Sequence, residues 1–204
     1  MAQGRAPILH ILAGPNGAGK TTFYDNLLSR QVSAEFVNPD RLALHALGHN
    51  ATTAEHAKLG QDLANARRDA LIAASKSLVT ESTFSHPSKL ELIGQAKAAG
   101  FRVVVYHLNL ESGDLAVARV EHRVLYGGHA VPSDRIRGRY ERNQALIRQA
   151  ILEADRGFVF DNSRKGFRPR QLMQFDMGVV VKVADDLPRW AAKLYAPEIG
   201  LAAR

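Results

Sequence analysis

The 204-residue chain has no cysteine, which excludes disulfides and thiolate metal sites and permits a reducing compartment without requiring one. It has no long apolar run, so no membrane span is expected. Met1 to Pro7 lacks the basic start, apolar stretch and small-residue cleavage site of a signal peptide, and a soluble cytoplasmic protein is the expectation. Acidic residues are in deficit: 20 Asp and Glu stand against 27 Lys and Arg, a net charge of +7. That balance favours anionic partners, and nucleic acid, nucleotides and phosphorylated metabolites all qualify. The basic stretch Arg164, Lys165, Arg168 and Arg170 has no interleaved aromatic beyond Phe167, so it reads as a solvated loop rather than a nucleic-acid patch. Also missing are a long apolar strand ending in a Walker B aspartate, switch loops and an N-K-x-D motif, which argues against motors, transporter ATPases and GTPases.

What is present is an alternation of short apolar runs with helical patterns. Pro7 to Ala13 reads as a buried parallel strand, followed after a glycine loop by a helix over Thr21 to Arg30. Strands are expected at Glu35 to Asn38, Ser77 to Ser82, Phe101 to Asn109 and Phe158 to Phe160, with two more at Gln171 to Phe175 and Val179 to Val183. Helices are expected from a Thr52/Glu55 capping box to about Ser75, over Pro87 to Ala99, over Leu115 to Tyr126, and from Ser133 or Asp134 onward with Ile136, Tyr140, Ile147 and Ile151 on one side. A short helix carries Trp190. With 46% hydrophobic content, residues 1–204 are expected to form one α/β domain, three-layered around a mostly parallel sheet.

Gly14-Pro15-Asn16-Gly17-Ala18-Gly19-Lys20-Thr21 fits G-x-x-x-x-G-K-[ST] at every fixed position, after a predicted strand and before a helix. Glycines let backbone N–H groups curl round an anion, the helix N-terminus adds partial positive charge, Lys20 reaches β/γ-phosphate oxygens and the Thr21 hydroxyl ligates Mg²⁺. Thr22 extends the loop. An ordinary glycine-rich turn needs no lysine and threonine in that order, so the loop predicts nucleotide binding. Around Gly127-Gly128 lie two basic faces: Arg119 and Arg123 at i, i+4, and Arg135, Arg139 and Arg142 on the next helix. Such arginines stabilise charge on a transferring phosphate, and a glycine hinge lets them close as a lid spanning about residues 119–142. The alternative for any one of them is a solvated basic face. His129 has no second histidine or carboxylate at ligand spacing, which favours a lid contact over catalysis or metal binding.

The segments GPNGAGKTT, FVNPD, TESTFS, ARVEHRVLYGGHAVP, RIRGRYER and FDNS together make residues 8–163 resemble the zeta toxin family of P-loop kinases, in its compact predicted-ATPase branch. The resemblance implies an ATP- and Mg²⁺-dependent kinase acting on the sugar 3′-hydroxyl of UDP-N-acetylglucosamine, held inactive by a protein antitoxin. It matches Asp40 to the aspartate that takes the proton from the attacking hydroxyl, with capping of a helix that begins near Arg41 as the alternative. Glu81 matches the acidic residue of the substrate pocket, holding sugar hydroxyls or reaching the metal through water, with Ser82 and Thr83 beside it. Arg123 and Arg135 lie nearest the phosphate-contacting arginines, and Arg119, Arg137 and Arg139 are one residue or one turn away. Asn162 is placed on the nucleotide-base side, with a turn-forming Asp-Asn as the alternative. Two other readings stand beside this one: a nucleoside, nucleotide or other small-molecule kinase, and a nucleotide-dependent RNA-binding regulatory module.

Overall fold

The structure, a computed structural model, describes residues 6–48, 53–126 and 131–202. The expected lid residues Gly127, Gly128 and His129, and the capping residue Thr52, lie outside them. The chain runs β1 (Ile8–Ala13), α1 (Lys20–Asn26), a 3₁₀ turn (Leu28–Arg30), β2 (Glu35–Val37), α2 (Pro39–Leu47), α3 (Thr53–Ala73), β3 (Leu78–Ser82), α4 (Ser88–Ala98), β4 (Arg102–Asn109), α5 (Gly113–Val124), α6 (Ser133–Glu153), β5 (Arg156–Asp161), β6 (Arg170–Asp176), β7 (Val179–Val183), α7 (Arg189–Leu194) and α8 (Ala196–Ala202). Seven strands form one sheet in the order β2-β3-β1-β4-β5-β6-β7. The first five are parallel, and β6 and β7 add antiparallel at one edge.

The sheet is covered on both faces, which is why β1 and β4 are apolar almost throughout rather than alternating with polar residues. Leu9, Ile11, Val103 and Val105 face a core closed by side chains of α3, α4, α6 and α7, among them Ala64, Ile93, Ile147, Ile151 and Trp190. Leu12 and Leu108 point the other way, against Phe23 of α1 and Ala116, Val117 and Val120 of α5. Each of these buried aliphatic side chains contributes about 2 kcal/mol of transfer free energy. The sheet is therefore a rigid platform, and the loops at the carboxyl ends of its parallel strands inherit that rigidity.

Two departures from the periodicity matter. The first helix stops at Asn26 and restarts as a 3₁₀ turn, with Leu28 turned into the core. Helix α2, beginning at Pro39, sits directly against α3: a Cβ on Gly60 would lie 2.4 Å from the Pro39 carbonyl oxygen and 3.1 Å from the Ala43 Cβ. Only glycine permits that approach, and it fixes the first turn of α2 beside the face of α3 that carries Ala57 and Gln61. Helix α8 is not among the expected elements; its Pro197 falls in the first turn, where proline is tolerated.

Candidate active site

A cleft of about 1030 Å³ opens at the carboxyl ends of β1, β2 and β3, and its walls come from the phosphate loop, the start of α2, α3, the β3–α4 loop, α5, α6 and the loop after β5. Ligand clefts in open α/β sheets lie at this position, because there the helices on opposite faces diverge.

The loop from Gly14 to Gly19 leads directly into α1. Gly19 sits at φ 82, a left-handed conformation, and a Cβ there would fall 2.6 Å from the Asn162 amide nitrogen. Asn162 holds the loop from outside: its Nδ2 donates to the Ala18 carbonyl at 2.8 Å, and its own backbone N–H donates to Asn109 at 2.9 Å. The side chain expected on the base side of a nucleotide thus engages the phosphate-loop backbone and ties it to the end of β4. The neighbouring 164–167 loop is not merely solvated. Arg164 and Lys165 line the cleft, and the Arg164 guanidinium lies 5.0 Å from the centre of the Phe167 ring.

Lys20 is only 5% exposed, and its Nζ donates to the carbonyls of Gly14 and Pro15, 3.0 Å each. Burial lowers its pKa below the ordinary lysine value; Glu81 and Asp40 oppose that shift, and Arg123 adds to it. Glu81 organises the loop's other end. Its carboxylate accepts from Thr21 Oγ1 at 2.8 Å and from Asn38 Nδ2 at 3.2 Å, and it stands 3.8 Å from Lys20 Nζ. Thr21 and Glu81 present hard oxygen donors next to the phosphate loop. No cluster of three or more His, Asp or Glu ligands exists among the described residues. One carboxylate and one hydroxyl are the kind of hard oxygen donors that would hold Mg²⁺ beside bound phosphates.

Asn38, not Asp40, caps α2: its side-chain oxygen accepts from the Arg41 N–H at 3.0 Å. The capping alternative for Asp40 is thereby corrected, and Asp40 is left on the first turn, exposed to the cleft. Ser82 and Thr83 also line the cleft, and the Ser82 hydroxyl and the Thr83 carbonyl fix the β3–α4 loop. Ser82 Oγ accepts from the Phe84 N–H at 3.0 Å, holding the buried Phe84 at φ 51, and the Thr83 carbonyl accepts from Asn143 Nδ2 at 2.6 Å. The sequence did not reveal Asn143, a buried polar residue on the core face of α6, which couples α6 to the β3–α4 loop.

Of the arginines, Arg119, Arg123, Arg135 and Arg139 all line the cleft. Arg119 is also bonded to the Ser163 carbonyl at 3.1 Å. Arg137 is not among them; it pairs with Asp114 at 2.7 Å on the outer surface, which removes the one-residue shift to that position. Arg142 is absent from the cleft wall as well. Partial burial beside Arg135 and Arg142 lowers the Arg139 pKa, the mark of positive charges gathered without a compensating carboxylate. The described residues thus bring a phosphate loop, the carboxylates of Asp40 and Glu81 and four arginines to the lining of one cleft.

Residues 9–146 match the profile of the AAA domain family. No curated protein matches the chain significantly. Among solved structures, the AvrRxo1-ORF1:-ORF2 complex with ATP aligns at TM-score 0.69 and 17% identity over 97% of this chain and 64% of that one. The same complex with sulphate ions aligns at TM-score 0.68 and 18% identity, over 97% and 65%. A structure from the PezAT chromosomal toxin-antitoxin system of the human pathogen Streptococcus pneumoniae aligns at TM-score 0.61 and 14% identity, over 98% and 87%. The chain spans under two thirds of the length of the AvrRxo1 chains, and at these identities the likeness is one of fold: the P-loop kinase-like α/β sheet. With more than half its length matched by the profile, this chain belongs to the AAA domain family.

Proposed function

We propose that the protein is a zeta toxin-like kinase that transfers the ATP γ-phosphate to a hydroxyl of a nucleotide-activated amino sugar such as UDP-N-acetylglucosamine. The observation that carries the reading is the single cleft in which the phosphate loop, Asp40, Glu81 and the arginines of α5 and α6 face one another. A hydrolase needs room only for water, whereas this volume extends well past the phosphate loop to a second wall. ATP would supply the phosphoryl group, and Thr21 and Glu81 would hold a Mg²⁺ ion that offsets the charge of its phosphates.

The loop N–H groups and Lys20 bind and orient the donor's phosphates. Asp40 accepts the proton of the acceptor hydroxyl as the new O–P bond forms and the bond to the leaving diphosphate breaks. Arg119, Arg123, Arg135 and Arg139 bring positive charge to the equatorial and bridging oxygens, where it develops in the transition state. The two helices carrying them flank residues 127–130, so their closure over both substrates excludes water. An antitoxin partner belongs to the same reading, supported by the resemblance and by the PezAT toxin-antitoxin system among the structural neighbours.

Phosphate transfer from labelled ATP to a panel of nucleotide sugars, free sugars and nucleosides tests the proposal. Transfer to UDP-N-acetylglucosamine is expected, together with growth arrest on unchecked expression that Lys20→Ala relieves. Activity confined to nucleosides sinks the assignment.

A further inference from the structure

The far wall of the cleft holds two cations that neither the phosphate loop nor the lid arginines explain. On α3, Ala57, Gln61 and Arg68 lie along one face at i, i+4 and i+11 and line the cleft; Lys89, in the first turn of α4, joins them with Phe84 and Ser85. Arg68 is 8% exposed. The contrast with its neighbour is direct. Arg67 points outward and grips Glu35 with two bonds of 2.7 Å. Arg68 points inward, and its one side-chain partner among the described residues is the neutral amide of Asn65. Neither Arg68 nor Lys89 forms an ion pair with a described carboxylate. Burial is the main cause that lowers both pKa values; the Asp69 carboxylate opposes the shift at Arg68 without pairing with it, and the Arg68 charge adds to the shift at Lys89. Desolvated like charges brought together with no carboxylate in direct contact are costly to the folded state, which makes an anion from outside the natural completion of the pair.

We propose that Arg68 and Lys89 form the anion subsite that holds the phosphate or diphosphate group of the acceptor. The inference rests on the kinase reading above and assigns it two acceptor-binding residues. Asp40, on the first turn of α2, is set beside α3 by the close approach of Pro39 to Gly60, so an acceptor whose hydroxyl meets Asp40 can lay its anionic group on α3 and α4. An uncharged sugar or nucleoside leaves both cations desolvated and unpaired, and the site rejects it for the same reason that buried polar groups reject ligands unable to pair with them.

The test is pyrophosphate binding, by calorimetry, to full-length protein saturated with Mg²⁺ and a non-hydrolysable ATP analogue, so that the phosphate loop is already filled. Wild type is compared with Arg68→Met, Lys89→Met and Lys182→Met, the last removing an equal charge from the exposed face of β7. We expect wild type and Lys182→Met to bind alike, and each cleft variant to bind at least about tenfold more weakly with affinity for the ATP analogue unchanged. Absent binding in wild type, or equal binding in Lys89→Met, overturns the proposal. Lys89 is only half-buried, so its variant decides the matter even if Arg68→Met does not fold. Competition by UDP and by a hexose monophosphate identifies the source of the anion: Lys89-dependent displacement by one of them supports the subsite, and displacement by neither overturns it. The kinase reading fails separately. Lys89-dependent anion binding with no transfer to any nucleotide sugar removes that reading and keeps the subsite, while transfer with an acceptor KM unaltered in Lys89→Met does the reverse.

Discussion

The two ends of the cleft are built on opposite principles. At the donor end almost every polar group is already satisfied inside the protein: Lys20 on two carbonyls, Thr21 and Asn38 on Glu81, Asn162 on Ala18. At the end proposed for the acceptor, cations are gathered with no carboxylate bonded to them, Arg68 beside Lys89 and Arg139 beside Arg135 and Arg142. The first arrangement holds a fixed shape for a ligand part that never varies, the triphosphate. The second stores electrostatic tension that a particular ligand relieves, and so confers selectivity. Rigidity and frustration are divided between substrates.

The sharpest way to break this division is at Lys20. Lys20→Ala is expected to lower phosphoryl transfer about 10²- to 10³-fold with the cooperative melting transition retained, since the side chain bonds loop carbonyls and packs no core; rapid-quench assay and calorimetric melting check the two halves. Retained turnover would falsify the donor role. Asp40→Ala is expected to act on the other substrate: transfer falls about 10²-fold or more, while nucleotide affinity stays within about twofold of wild type. Equal losses in both quantities would move Asp40 to the donor end.

A smaller effect is expected at the junction of loop and platform. Gly19→Ala introduces both an unfavourable left-handed backbone, about 1–2 kcal/mol, and a clash with Asn162, so ATP affinity should fall on the order of tenfold or more. Combining it with Asn162→Ala removes the clash together with the Asn162 bond to Ala18 and should recover only part of the loss. Full recovery in fluorescence titrations would show that contact, not backbone strain, requires the glycine.

The platform beneath the site offers a test on stability rather than on the ligand, with the smallest effect expected on transfer at neutral pH. Burial pushes His107, whose Nδ1 lies 2.8 Å from the Tyr195 hydroxyl, down from 6.5 to about 3, and His10 down to about 4. Both are held neutral in the fold and protonate more readily once unfolded. Their stabilising contribution is therefore complete above about pH 6.5 and is lost as pH falls towards the folded values, by on the order of 3 kcal/mol each. Urea midpoints between pH 7 and pH 4 should fall accordingly, and His10→Asn should flatten the slope; an unchanged slope places the acid sensitivity elsewhere.

Some of this was legible in the residues. The phosphate loop is legible because its chemistry is local: eight consecutive residues supply the turn, the charge and the hydroxyl, and β1 and α1 follow from apolar runs on either side. The sheet strands were legible for the same reason, down to β6 and β7. The arginines were legible as a cluster but not in register, because i, i+4 spacing is shared by Arg135 with Arg139 and by surface residues generally; only packing shows Arg137 turned to Asp114. Arg68 was hidden within Ala-Arg-Arg-Asp on a helix with no strong amphipathic signal, and nothing in that string tells which of two arginines faces water. Asn162 was visible as a site residue, but its hold on Ala18, 144 positions away, was not.

The sequence by itself determined the parts whose physics is short-range: a phosphate cradle between a strand and a helix, an α/β alternation, and an excess of positive charge suited to anionic ligands. The tertiary structure alone decided which distant groups meet. It placed Glu81 on Thr21 and Asn38, set α2 against α3 through Gly60, and turned Arg68 and Lys89 into the far end of the cleft. The reason lies in range: hydrogen bonding along a loop and periodic burial are written in neighbouring residues, whereas desolvation and charge pairing depend on which surfaces the fold brings together.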